Sequence, residues 1–222
     1  MNLVRRTVDL FLSTLGLILL SPVFLVCAMA IRLNSPGPIF YLQNRVGYLG
    51  RNFLIFKFRS MVLNSEEDDL QVTGEADARI TLVGRWLRRY KLDELPQLYN
   101  VFRGDMSFVG PRPRVDKYAR HYPPELRDVL FSVRPGVTDP ATLKAIRQER
   151  ILGRIPKADR EKYYLERILP GEVGMNVDYI RKRTLGSDFK ILIRTVLELL
   201  VGRPGPNCEN PEKDSGPVLR RP

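Results

Sequence analysis

The chain has 222 residues, enough for one domain with an appendage. Its 36 Lys and Arg against 25 Asp and Glu leave a formal charge of +11, which favours anionic partners: nucleic acid, a phosphorylated substrate or an acidic membrane surface. The two cysteines, Cys27 and Cys208, and the single histidine, His121, exclude a disulfide framework, a Cys-based zinc site and most histidine chemistry, so if the chain is an enzyme, carboxylates, arginines and any metal must carry the work.

From Leu10 to Ile31 the chain reads LFLSTLGLILLSPVFLVCAMAI without a charge. As a helix this would run roughly 33 Å, enough to cross a bilayer. Ser21-Pro22 sits at its midpoint, where proline removes the amide that would bond the Ile18 carbonyl, so the helix should bend. The Ser21 hydroxyl is placed to bond back to the Leu17 carbonyl. Arg5 and Arg6 precede the run, and Arg32, Arg45, Arg51, Lys57 and Arg59 follow it before the first acid, Glu66. Basic flanks at both ends suit a hairpin that enters and leaves by one face, although a proline-kinked spanning helix fits the same residues. A cleaved signal peptide fits less well, because Pro22 interrupts its apolar region.

After the Pro36-Gly37-Pro38 turn, two β-leaning runs, Ile39 to Val46 and Arg51 to Phe58, flank Gly47-Tyr48-Leu49-Gly50 and read as a hairpin. The acids from Glu66 to Asp69 read as a solvated surface stretch. Helices are expected over Leu82 to Tyr90 and from Pro96 to Phe102, joined by Lys91-Leu92-Asp93-Glu94-Leu95. Gly104 to Arg114, GDMSFVGPRPR, is too rich in Gly and Pro for a helix and reads as a rigid loop presenting arginines. A further helix is expected over Lys157 to Ile168. Phe189 to Val201 is amphipathic, with Lys190, Arg194 and Glu198 on one stripe; its apolar majority suits either packing on the domain or lying on a membrane interface. From Arg203 onward the pattern is that of a disordered tail.

Asp93 and Glu94 have a plain structural reading, Asp93 as a helix cap and Glu94 at the helix's positive end. Their company argues for more: Arg85, Arg88, Arg89 and Lys91 lie just upstream, and Arg112 and Arg114 stand on the nearby loop. Two acids among many bases suit a phosphate site. A carboxylate approaches a diphosphate only when repulsion is screened, and magnesium, arginine forks and a helix N-terminus together provide that. One acid would then act as nucleophile and the other hold the metal; spacing does not say which.

At these residues the sequence resembles the bacterial sugar transferases of the monotopic phosphoglycosyl transferase family. The matching pieces are Ser21-Pro22, KFRSM (Lys57 to Met61), DARIT with GRWLR (Asp77 to Arg88), LDELPQLYNVFRGDMSFVGPRPR (Leu92 to Arg114) and RPGVT (Arg134 to Thr138). The resemblance implies transfer of a phospho-sugar from a UDP-sugar to a polyprenol phosphate, releasing UMP, at the cytosolic face of a bacterial cytoplasmic membrane. It places Asp93 on the nucleophile of a two-step ping-pong route and Glu94 on its magnesium-holding partner, with Asp93 beside the ion. It associates Lys57, Arg59, Arg88 and Arg112 with phosphate, nucleotide or the site framework; Arg114, on the same loop as Arg112, is added as a phosphate-site candidate by its charge. For Ser21 and Pro22 it implies a re-entrant helix that does not span.

The expected architecture is α+β and mostly helical. Residues 1–33 would form the re-entrant membrane helix, 34–202 a compact cytosolic catalytic domain with a small β-hairpin and interfacial amphipathic helices, and 203–222 a disordered tail. Membrane lipids are expected partners, nucleic acid is not, since no recognition motif or stacking platform accompanies the charge, and a homodimer is compatible with the sequence. Many relatives follow RPG-[IV]-T with Gly-Trp; here Asp139-Pro140-Ala141 follows, so no sugar preference is carried over from that segment. A one-step transfer without a covalent intermediate is the competing mechanism.

Overall fold

The structure is a computed structural model that describes residues 3–62, 77–141, 152 and 155–201. The expected acidic surface stretch at Glu66 to Asp69 and the expected tail from Arg203 lie outside the described residues.

Two helices open the chain, α1 (Leu3–Leu19) and α2 (Ser21–Asn34), bent by 59° at Leu20. No single described helix is long and apolar enough to cross a membrane, whereas the bent pair together has that length and composition. Pro22 lies in the first turn of α2, where a missing amide costs least. The Ser21 hydroxyl donates to the Ile18 carbonyl at 2.8 Å, not to Leu17 as expected. Ile18 is the carbonyl that Pro22 strands, so the hydroxyl replaces the lost bond at its source.

One face of α1 is turned to protein. Asp9 and Ser13 are buried there, while Val8, Phe11, Leu12, Leu15, Ile18 and Leu19 are exposed. Cys27 and Ile31 of α2 are buried against Phe58 and Leu87.

Strands β1 (Phe40–Val46) and β2 (Asn52–Phe58) form the expected antiparallel hairpin, turned by a 3-10 segment at Tyr48–Gly50. The pairs Tyr41 with Lys57, Gln43 with Ile55 and Arg45 with Phe53 set six side chains on one face. Ile55 is 3% exposed, so that face points inward.

Helix α3 (Leu82–Arg89) starts where the Thr81 hydroxyl accepts the Gly84 amide at 2.9 Å. Gly84 is required by contact: a Cβ there would sit 1.9 Å from the Ser60 carbonyl oxygen. A 3-10 turn at Leu92–Glu94 leads into α4 (Gln97–Arg103), which ends at Gly104 with φ of 95°. Against α4 lies α1: Arg6 donates to the Val101 and Phe102 carbonyls, both at 2.7 Å, and Leu98 meets Gly16.

The Gly104 to Arg114 segment is not loop throughout. Ser107–Val109 forms β3, parallel to β4 (Gly136–Thr138). The pairing is local and depends on close backbone approach, since a Cβ on Gly136 would fall 2.1 Å from the Gly110 nitrogen. Short helices α5 (Asp116–Ala119) and α6 (Pro124–Phe131) follow. The helix expected over Lys157 to Ile168 is instead a 3-10 turn at Lys157–Asp159, α7 (Arg160–Tyr163) and a π-turn at Tyr164–Ile168 running into α8 (Leu169–Lys182). Tyr118, Tyr122, Leu130, Tyr164, Ile168 and Val173 build a core on this side. The last helix, α9 (Leu185–Val201), docks through a Thr195 to Thr138 hydroxyl bond at 2.8 Å yet leaves Phe189, Ile193, Val196 and Leu197 exposed. The described residues are therefore mostly helical with two small sheets, an α+β arrangement.

Candidate active site

Asp93 and Glu94 sit on the turn between α3 and α4, and three features hold that turn. Lys91 adopts the left-handed conformation, φ 55° and ψ 20°, which reverses the chain out of α3. Leu92 and Leu95 flank the pair and pack into the core against α2. Asn100, fully buried, accepts the Phe56 amide at 2.9 Å and donates to the Leu54 carbonyl at 2.7 Å, locking α4 to β2. The sequence alone gave no signal for Asn100, because its partners are backbone atoms 44 and 46 positions away.

Asp93 is not a helix cap. Pro96 occupies the N-cap of α4 with no side-chain cap bond, and the buried Asp93 Oδ1 has no hydrogen-bond partner. Burial and the neighbouring Glu94 push the Asp93 carboxyl above its usual range, against the pull of Lys57, Lys91 and Arg88. Glu94 has the opposite environment. Lys57 Nζ donates to its Oε1 at 2.9 Å, and Arg112 forks onto it from the β3 side, pairing with Oε1 and reaching Oε2 at 3.4 Å. Burial pushes Glu94 upward, but Arg112 and Lys57 outweigh it and hold the group well below the ordinary carboxylate range. The two adjacent acids are thereby differentiated: one neutralised by cations, the other with a buried oxygen that no donor satisfies.

The hairpin register supplies Lys57, and burial lowers its ammonium's pKa despite Glu94. Arg112 is raised, chiefly by Glu94. Its backbone is fixed by Asp139, whose carboxylate accepts the Arg112 amide and the Asn176 side chain, each at 3.2 Å. Asp139 is the first residue of the unusual segment after RPGVT, and its position behind Arg112 was not legible from spacing.

Two of the expected phosphate-site arginines are engaged elsewhere. Arg59 donates to the Pro36 and Ser35 carbonyls, both at 2.7 Å, and ties down the exit of α2. Arg114 pairs with Glu172 at 2.6 Å, under the Tyr164 ring, and belongs to the α8 core. Arg88 lies within electrostatic reach of Asp93, as does Lys91, a neighbour the sequence reading noted without assigning it to the site. Ser21 and Pro22 shape the α1–α2 bend, next to the start of α4.

Among the described residues no three His, Cys, Asp or Glu side chains gather to hold a metal. Two carboxylates do fit magnesium, which takes one or two protein carboxylates and completes its shell with phosphate oxygens and water. The buried Asp93 Oδ1, which has no hydrogen-bond partner, is the unsatisfied oxygen such an ion would take, and Glu94 Oε2, held only at 3.4 Å, is the less engaged oxygen of the second acid.

Known proteins resemble the chain over most of its length. Residues 1–202 match the family described as Bacterial sugar transferase. A UDP-N-acetylgalactosamine-undecaprenyl-phosphate N-acetylgalactosaminephosphotransferase of Aeromonas hydrophila is 35% identical over 201 residues, covering 90% of this chain and 44% of that protein. A UDP-glucose:undecaprenyl-phosphate glucose-1-phosphate transferase of Caulobacter vibrioides is 36% identical over 90% of this chain and 70% of its own length. One of the same description in Escherichia coli K12 is 34% identical, covering 91% and 41%. The chain spans less than half the length of the Aeromonas and Escherichia proteins.

Proposed function

Since the chain belongs to the bacterial sugar transferase family, we propose that it transfers a hexose 1-phosphate from a UDP-sugar to undecaprenyl phosphate through a covalent intermediate on Asp93. The observation that carries this reading is the asymmetry of the acid pair: Asp93 keeps a buried oxygen without a partner, while Glu94 is clasped by Lys57 and Arg112. The printed activities of the relatives supply the substrate classes.

In the first step an Asp93 carboxylate oxygen attacks the β-phosphorus of the donor, and the bond from that phosphorus to the bridging oxygen breaks. UMP leaves with the electron pair, and no proton is transferred. In the second step a phosphate oxygen of the lipid acceptor attacks the same phosphorus, frees the Asp93 carboxylate and gives the lipid diphosphate sugar. Lys57 and Arg112 oppose the phosphate charge that accumulates, and Arg88 and Lys91 offset repulsion between Asp93 and the donor. Asp93 and Glu94 would hold magnesium, which when bound supplies further charge neutralisation at the diphosphate.

The lipid acceptor stays in the bilayer while the nucleotide arrives from water, so the site must lie at the membrane surface. The α1–α2 pair serves as a re-entrant anchor from the cytosolic side of a bacterial membrane, and its exposed Phe11, Leu15, Ile18, Leu25 and Met29 supply the lipid-facing surface.

The test is UMP release by the full chain given undecaprenyl phosphate, magnesium and, in turn, UDP-glucose and UDP-N-acetylgalactosamine. Release is expected with at least one donor, to cease on chelation, and to fall by a factor of about 10³ or more in Asp93→Asn. Undiminished turnover in Asp93→Asn would remove that residue as nucleophile. A requirement for both substrates before any UMP appears would favour direct one-step transfer.

A further inference from the structure

The inner face of the hairpin presents a second buried cation besides Lys57. Arg45 lies on that face, two inward positions along β1 from Tyr41, the partner of Lys57. Four residues of strand separate the two backbones by about 13 Å. The Arg45 side chain folds back along the strand: one terminal nitrogen donates to Gln43 Oε1 at 2.5 Å and the other to the Pro113 carbonyl at 3.3 Å. Its guanidinium is thus carried toward Lys57 and against the segment that presents Arg112. Its Nε is buried and has no hydrogen-bond partner.

The charge around it does not balance. Glu94 is shared by Lys57 and Arg112, and Glu172 is taken by Arg114. Among the described residues Arg45 has no carboxylate within ion-pair distance; its bonds are to neutral oxygens. Burial first, then repulsion by Arg112 and Arg114, lowers its pKa to about 10 against the weaker pull of Tyr41 and Glu94. A buried cation whose one nearby acid is already shared by two other cations, and whose Nε has no acceptor, is a group that an anionic ligand can partner.

We propose that Arg45, oriented by Gln43, is a phosphate-contacting residue that completes an anion cradle with Lys57 and Arg112 and binds the diphosphate of the nucleotide donor. Gln43 is then a positioning residue: its amide oxygen turns the guanidinium back along β1. The inference rests on the transferase reading for the identity of the ligand, but its measurement does not depend on turnover.

The experiment measures binding of UDP, the nucleoside diphosphate itself, to the full chain in detergent by calorimetry, with inorganic sulfate as a competing anion. Wild type is compared with Arg45→Gln, Arg45→Lys and Gln43→Leu, each checked for an unchanged thermal transition. Arg45→Gln is expected to weaken UDP binding at least tenfold and to flatten its dependence on salt. Arg45→Lys should recover most of the affinity, and Gln43→Leu should lose about threefold with the charge still present. Affinity within twofold of wild type in a folded Arg45→Gln overturns the proposal. Should that variant fail to fold, Arg45→Lys and Gln43→Leu decide, and wild-type affinity in both overturns it. If no UDP-sugar yields UMP while the Arg45→Gln loss is seen, the transferase reading fails and the cradle stands; turnover with no such loss gives the converse.

Discussion

On the proposed mechanism Asp93 meets its substrate shielded from water and must be ionised to attack it. Its carboxyl is raised by burial and by Glu94, so the folded chain holds that proton more tightly than the unfolded one. Stability then falls as pH rises from the unfolded carboxylate range, about 3.9, through the raised folded value, and the cost is complete above that value. Asp93→Asn should therefore raise the melting temperature at pH 7 by about 2–4 °C while abolishing turnover, and the gain should shrink as the pH is lowered below the raised folded value. Glu94 has the reverse sign. Its pKa is depressed, so its contribution is present above the unfolded value, about 4.3, and is lost as pH falls through the still lower folded one. Glu94→Gln leaves Lys57 and Arg112 buried without their counter-charge and should cost about 3–5 kcal/mol in chemical denaturation. Lys57→Met removes a cation that lowers Asp93, so the acid limb of the rate profile should move to higher pH, measured as kcat/KM against pH.

At the scale of elements, the pair is positioned by the turn after α3, by α4, and by the helices on either side. Arg6 binds the end of α4 and α2 packs on Leu92 and Leu95, so the bend between α1 and α2 wraps the site. Pro22→Ala restores the missing amide and should straighten the pair; the expected result is a folded chain with reduced UMP release, read by activity beside circular dichroism. Asn100→Ala deletes the bonds that join α4 to β2 and should cost on the order of 3 kcal/mol in stability. Much of this level was legible in the sequence. The hairpin announced itself through two β-leaning runs around Gly47 and Gly50, and Pro22 marked the bend. Periods and turn residues report neighbours along the chain, and they failed where the partner is distant. The β3 to β4 pairing needs Gly110 against Gly136, and Ser21 chose Ile18 over Leu17 because the orphaned carbonyl depends on three-dimensional geometry. At the site, the acids and bases were visible as types, but Arg59 was assigned by its place in a matching motif and Arg114 by its charge on the loop, and neither signal reports a three-dimensional partner. Burial sends the first to the Ser35 and Pro36 carbonyls and the second to Glu172.

For the whole molecule, the exposed apolar residues of α1, α2 and α9 form the kind of surface that meets a membrane or another protein. On the proposed reading they meet the bilayer from one side, with the basic flanks facing the cytosol. Single cysteines placed at Arg6 and at Gly37 in a cysteine-free background should both resist a membrane-impermeant maleimide added to intact cells. Labelling of one position alone would make the pair a spanning segment. The reaction itself is tested most directly by the mass of the protein. Mixed with a UDP-sugar and magnesium in the absence of the lipid acceptor, the chain is expected to gain one hexose-phosphate unit, located on the peptide containing Asp93 and discharged on adding undecaprenyl phosphate. An unmodified mass alongside full turnover when both substrates are present, or a phosphosugar mapped to another residue, would contradict the assignment of Asp93 as the attacking group.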